Sequence, residues 1–124
     1  MNKWIEGARP RTLPAAIAPV VVATALAYKV HGVNWINALL ALIVGVAMQV
    51  GVNYSNDYSD GIKGTDSNRV GPMRLVGSGA ASASEVKRAA LLIYFIGACA
   101  GLILALRTSI LLTIIGAIAI VAAW

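Results

Sequence analysis

The residues able to do chemistry are concentrated in one stretch, Asn53-Tyr54-Ser55-Asn56-Asp57-Tyr58-Ser59-Asp60-Gly61-Ile62-Lys63-Gly64-Thr65-Asp66. On a continuous helix Asn56 and Asp60 would stand one turn apart on the same side, with Asp57 beside Asp60. Three side-chain oxygens would then converge. Carboxylates this close repel one another unless a cation or a proton sits between them. Oxygen-only donors suit Mg²⁺, a hard ion that keeps several waters and shares phosphate oxygens. Lys63, Arg69 and Arg74 follow in a glycine-rich loop. Arg offers paired donors to phosphate and Lys a point charge, so acids followed by a basic loop fit a metal–diphosphate ligand. His31 and Cys99, each the sole residue of its type, lie elsewhere, which leaves no zinc set.

A plainer reading competes with this one. Loops at a membrane surface carry charge simply because they meet water and anionic lipid, and that suffices for Lys87 and Arg88. It does not explain Asp57 and Asp60, which close an apolar run. Gln49, Asn53 and Asn56 share one helical face leading into them, and polar residues in a membrane helix face protein or water rather than lipid. By itself, that stripe is equally compatible with hydrogen bonds that join helices.

The elements that must position these residues follow from the distribution of charge. Hydrophobic residues make up 59% of the 124 positions and charged ones 12%, too little charge to cover a soluble domain. Charge-free windows run Thr12–Tyr28, Gly32–Asn56, Ala89–Leu106 and Thr108–Trp124, each near the ~20 apolar residues that a spanning helix needs. The expectation is an all-α integral membrane protein with four spans, about 12–30, 35–56, 83–106 and 109–124, and a motif loop about 57–82. Barrel strands would be shorter and would alternate.

The net charge of +5 does not point to nucleic acid, because its placement follows the membrane. Lys3, Arg9 and Arg11 precede the first span, and Lys63, Arg69, Arg74, Lys87 and Arg88 lie between the second and third. Cytoplasmic loops concentrate such residues, so a multi-pass protein of the cytoplasmic membrane with its N-terminus inside is expected. Lys3, an apolar run and Ala25-Leu26-Ala27 imitate a signal peptide, but further spans follow and Pro14 and Pro19 suit a membrane helix.

Ser82-Ala83-Ser84-Glu85 reads as a capping box, so a helix is expected to begin near Ala83. Gly97 and Gly101 have the spacing that lets two helix backbones approach. The chain ends at Trp124 with no polar flank, and it is expected to be a fragment of a longer protein.

The run from Asn56 to Asp66, followed by Arg69-Val70-Gly71-Pro72-Met73-Arg74, resembles the first aspartate-rich motif of the UbiA superfamily of membrane prenyltransferases. It is most similar to the branch that prenylates 1,4-dihydroxy-2-naphthoate in menaquinone biosynthesis, and Ala8-Arg9-Pro10-Arg11-Thr12-Leu13-Pro14 resembles the start of that branch's first helix. The resemblance implies a nine-helix bundle of which this chain is the N-terminal part. It implies a metal set of Asn56, Asp57, Asp60 and Asp66, with Asp60 catalytic, and diphosphate contacts from Lys63, Arg69 and Arg74. The implied reaction transfers a polyprenyl group from its diphosphate to the aromatic acid, with Mg²⁺ and loss of CO₂. Asn53 and Arg11 are the candidate substrate residues. The broad superfamily pattern has an Asp where this sequence has Gly64. A second aspartate-rich motif is expected later in the family, and no acidic residue follows Glu85, so the chain alone is expected to be inactive.

Two other classes fit the sequence less well. CDP-alcohol phosphotransferases need Asp-Gly-x-x-Ala-Arg, and Asp60-Gly61 is broken by Lys63-Gly64-Thr65. A small transporter or ion-pathway subunit would use the Asp pair as an ion site, but such sites lie nearer the membrane centre.

Overall fold

The computed structural model describes residues 2–65 and 71–124, and every regular element among them is helical. A short helix α1 (Lys3–Gly7) is capped by the Asn2 side chain, which accepts from the Trp4 amide. Arg9 then takes a left-handed conformation, φ 53°, and a single 3₁₀ turn, Pro10–Thr12, leads into α2 (Leu13–Lys29). Pro14 sits in the first turn of α2, where a missing amide costs nothing, and Pro19 lies inside it.

Helix α3 (Trp35–Lys63) opens on Asn34, whose side chain accepts from the Asn37 amide, and closes on Gly64 at φ 68°. A glycine ends a helix in this left-handed conformation without the clash a Cβ would bring. Position 64 thus terminates α3, which accounts for a glycine there. The helix runs on to Lys63 rather than ending near residue 56, so the motif residues from Asp57 to Lys63 are helical and not loop. Polar residues end an apolar window, but they need not end a helix, and this one simply emerges from its apolar stretch.

Helix α4 (Ala83–Arg107) starts behind a reciprocal cap. Ser82 Oγ accepts from the Glu85 amide, and Glu85 Oε2 accepts from the Ser82 amide at 2.8 Å. Helix α5 (Leu111–Ala123) completes the described chain. Helices α3 and α4 form the main interface. There Gly97 lies against Ala47, close enough that a Cβ on it would sit 3.0 Å from the Ala47 Cβ, which is the close approach that its spacing with Gly101 predicts. At the opposite end, Arg107 Nε donates to Asn37 Oδ1 at 2.8 Å.

Among the described residues three segments are long and apolar enough to cross a membrane: Lys3–Lys29, Trp35–Lys63 and Ala83–Arg107. Four spans were expected; α5 is apolar but, at 13 residues, reaches only about 20 Å at 1.5 Å per residue. Large apolar side chains such as Leu92 and Phe95 cover the outer surface, as a lipid-facing bundle requires. The buried cluster of Tyr54, Leu75, Ala81, Val86, Ala90 and Tyr94 gathers instead around the loop end of α3 and α4.

Candidate functional site

The last turns of α3 carry Asn53, Asn56, Asp57, Asp60 and Lys63, and these side chains find different surroundings. Asn53 is buried and looks back toward the N-terminal segment. Its Nδ2 donates to the Ala8 carbonyl at 2.9 Å and to Thr12 Oγ1 at 3.0 Å. Gln49 Nε2 reaches the same hydroxyl at 3.4 Å, and Tyr54 Oη donates to the Trp4 carbonyl at 2.8 Å. Gln49, Asn53 and Tyr54 therefore fasten residues 4–12 to α3. A buried amide with two acceptors is satisfied here and contributes to the join.

Asn56 is exposed on the neighbouring face and Asp60 lies one turn beyond it. Asp60 Oδ2 pairs with Arg74 Nη2 at 3.2 Å, with the carboxylate side chain 33% exposed and the arginine 10%. Asp57 points elsewhere and is fully buried. Its Oδ2 accepts from the Leu75 amide at 2.7 Å and its Oδ1 from the Val76 amide at 3.4 Å. The three motif residues thus share a helix end without sharing one cavity.

The loop that brings Arg74 here is built around Leu75, which has no exposed surface and packs against Gly7 of α1. Burying such a side chain contributes about 1.5–3 kcal/mol. Val76 lies against Gly61, where an added Cβ would overlap its side chain. The turn closes on itself through Ser78 N–H to the Arg74 carbonyl and Ala81 N–H to the Leu75 carbonyl, both 2.9 Å. Lys3 Nζ donates to the Ala80 carbonyl at 2.9 Å. Leu75-Val76 is an apolar pair inside a polar, glycine-rich loop, and that was the available sequence signal for this anchor.

Arg11 lies on the 3₁₀ turn and is exposed. A cavity of about 420 Å³ opens beside it, lined by Glu6, Arg9, Pro10, Arg11, Thr12, Pro72 and Met73. It lies between the N-terminal segment and the start of the Arg74 loop. Lys63 is exposed at the last position of α3. Asp66 and Arg69, the remaining predicted ligands, lie outside the described residues.

Among the described residues no group of three His, Cys, Asp or Glu side chains is placed to hold a metal. What α3 offers is the amide oxygen of Asn56 and the carboxylate of Asp60 on one face. That donor set fits an ion which takes most of its ligands from water and phosphate, as Mg²⁺ does, and is too hard and too sparse for zinc.

Residues 16–124 match the UbiA prenyltransferase family. The chain is 57% identical over 122 residues to the 1,4-dihydroxy-2-naphthoate octaprenyltransferase of Mycobacterium tuberculosis, an alignment covering 98% of this chain and 42% of that protein. Identity to the enzyme of the same name in Mycobacterium leprae is 54%, with the same coverage. For the Escherichia coli protein of that name it is 40% over 102 residues, covering 82% of this chain and 33% of the relative. The chain therefore spans less than half the length of the curated relatives it matches. No solved structure matches it.

Proposed function

The chain belongs to the UbiA prenyltransferase family, and on that premise we propose that the full-length protein is a polyprenyltransferase of menaquinone synthesis. It would join a polyprenyl group, taken from its diphosphate, to 1,4-dihydroxy-2-naphthoate. The names of the relatives support this acceptor. The observation that carries the reading is the Asp60–Arg74 pair at 3.2 Å, an acid and a base brought together where an apolar helix ends.

In this reading Asn56 and Asp60, with Asp66, would hold Mg²⁺, while Arg74, Lys63 and Arg69 would take diphosphate oxygens. A Mg²⁺ held there would supply positive charge to offset that developing on the departing diphosphate. Arg74 is placed to meet the same charge because its guanidinium is held against Asp60. The allylic C–O bond breaks and its electron pair leaves with the diphosphate. The electron-rich ring carbon that bears the carboxylate attacks the allylic carbon. CO₂ then departs, returning its bonding pair to the ring. The apolar helices exclude water from the allylic cation. Arg11 meets the acceptor's carboxylate at the 420 Å³ cavity, and Asn53 acts on that cavity through Thr12, which lines it.

The basic residues on either side of the first two spans support a cytoplasmic N-terminus and a cytoplasmic site in the cell membrane. An ion-pathway role has less support, since Asp60 lies at a helix end against Arg74 and Asp57 is sealed from solvent. The test is prenyl transfer by the full-length protein in membranes, with and without Mg²⁺. Mg²⁺-dependent formation of demethylmenaquinone is expected, and its absence with both substrates present would refute the proposal. Residues 1–124 alone are expected to give no product.

A further inference from the structure

The two carboxylates of the motif sit in different surroundings. Asp60 is a third exposed and faces a guanidinium. Asp57 has no exposed surface, and each of its oxygens is turned toward a backbone amide of the Arg74 loop. An ion approaching Asp57 would have to displace those amides and leave buried donors without acceptors, which is costly.

We propose that Asp57 is a positioning residue and not a metal ligand: it grips the amides of Leu75 and Val76 and so sets Arg74, the preceding residue, against Asp60. The kinetic consequence rests on the proposed prenyl transfer; the geometry does not. Two successive amides converging on one side chain need two acceptor oxygens, which a carboxylate has. Asn presents one oxygen and one NH₂, so one amide would meet a donor. Packing fixes the same register from the other side. Leu75 is wedged against Gly7 within the buried cluster, and Val76 rides on Gly61, whose lack of a Cβ admits it. The two motif carboxylates therefore have separate tasks, one toward the ligand and one toward the loop.

The experiment uses the full-length protein in membranes, with Asp57→Asn, Arg74→Ala, the double variant and Gly61→Ala. Amide hydrogen exchange of the peptide covering residues 71–81 is read alongside steady-state kinetics. Asp57→Asn should accelerate exchange in that peptide and raise KM for the prenyl diphosphate by about tenfold, the scale of one lost charged hydrogen bond. The Mg²⁺ concentration for half activation should stay within about twofold, and Asp57→Asn added to Arg74→Ala should change KM by less than about twofold, as residues acting through one contact do. Gly61→Ala reaches Val76 without touching the carboxylate, so it should reproduce both effects, and it carries the test if Asp57→Asn does not fold. Unaltered exchange in the variants would overturn the clamp. Multiplying effects, or a raised Mg²⁺ requirement, would overturn the claim that Asp57 acts through Arg74. If the wild-type protein transfers no prenyl group, the functional reading fails while exchange still decides the clamp.

Discussion

Arg74 Nη2 rests 3.2 Å from Asp60 Oδ2, so a helix end and a separate loop meet through opposite charges. Ion pairs with one partner still partly in solvent, as Asp60 is here, contribute only modestly to stability. Their value here lies in placing a cation donor beside an oxygen donor. Replacing Asp60 with Ala should cut prenyl transfer on the order of a thousandfold, while membrane content and thermal midpoint stay close to wild type. Near-normal turnover in membranes containing that variant would remove Asp60 from the site.

Exchanging the charges separates pairing from chemistry. Asp60→Arg combined with Arg74→Asp restores an ion pair across the same gap but moves the carboxylate onto the loop. The double variant should regain the stability lost in Arg74→Asp alone and still fail to turn over. Recovery of activity together with stability would mean that the pair is only a brace.

Arg11→Gln should raise KM for the aromatic acid by roughly tenfold, the scale of one charge-assisted hydrogen bond, with KM for the prenyl diphosphate unchanged. A rise in the diphosphate KM alone would place Arg11 on the other substrate.

Leu75→Ala should cost about 2–5 kcal/mol, the range for emptying a well-packed site. The residue is fully buried and touches α1 as well as the α3–α4 cluster. A lowered thermal midpoint in detergent and faster proteolysis of the loop are the expected signs. An unchanged midpoint would mean that the loop is not packed as described.

Asn53→Ala deprives the Ala8 carbonyl of its side-chain donor, while the Thr12 hydroxyl keeps Gln49 and Arg9, at a cost of about 1–3 kcal/mol for the unmet carbonyl. Hydrogen exchange across residues 3–12 should quicken. If it does not, Asn53 has no hold on that segment.

Much of the architecture could be read from charge spacing. Charge-free windows mark where lipid-facing helices run because ionised groups are expensive there, and Ser82 and Glu85 announced the start of α4 by chemistry local to four residues. The continuation of α3 to Lys63 was harder to see, since hydropathy reports the apolar stretch of a helix and not its hydrogen-bonded length. The spacing of Asn56 and Asp60 did imply a helix if one ran that far. Which way each polar side chain faces was not legible, because direction depends on partners distant in sequence. Asn53 finds Ala8 and Thr12, and Asp57 finds Leu75 and Val76. The same side-chain types at the same spacing would serve a ligand equally well, and only the fold distinguishes the two uses.

The hydrogen bond from Lys3 to Ala80 and the seating of Leu75 beneath Gly7 change the status of the first dozen residues. By hydropathy they look like a dispensable leader that an engineer would trim or replace with an affinity tag. In the folded protein they form the roof over the arginine-bearing turn. Shortening the chain before Arg9 would leave every proposed ligand, Arg11 included, in place and still unseat Arg74, because Lys3 and Gly7 would be gone, so tags on this protein belong elsewhere.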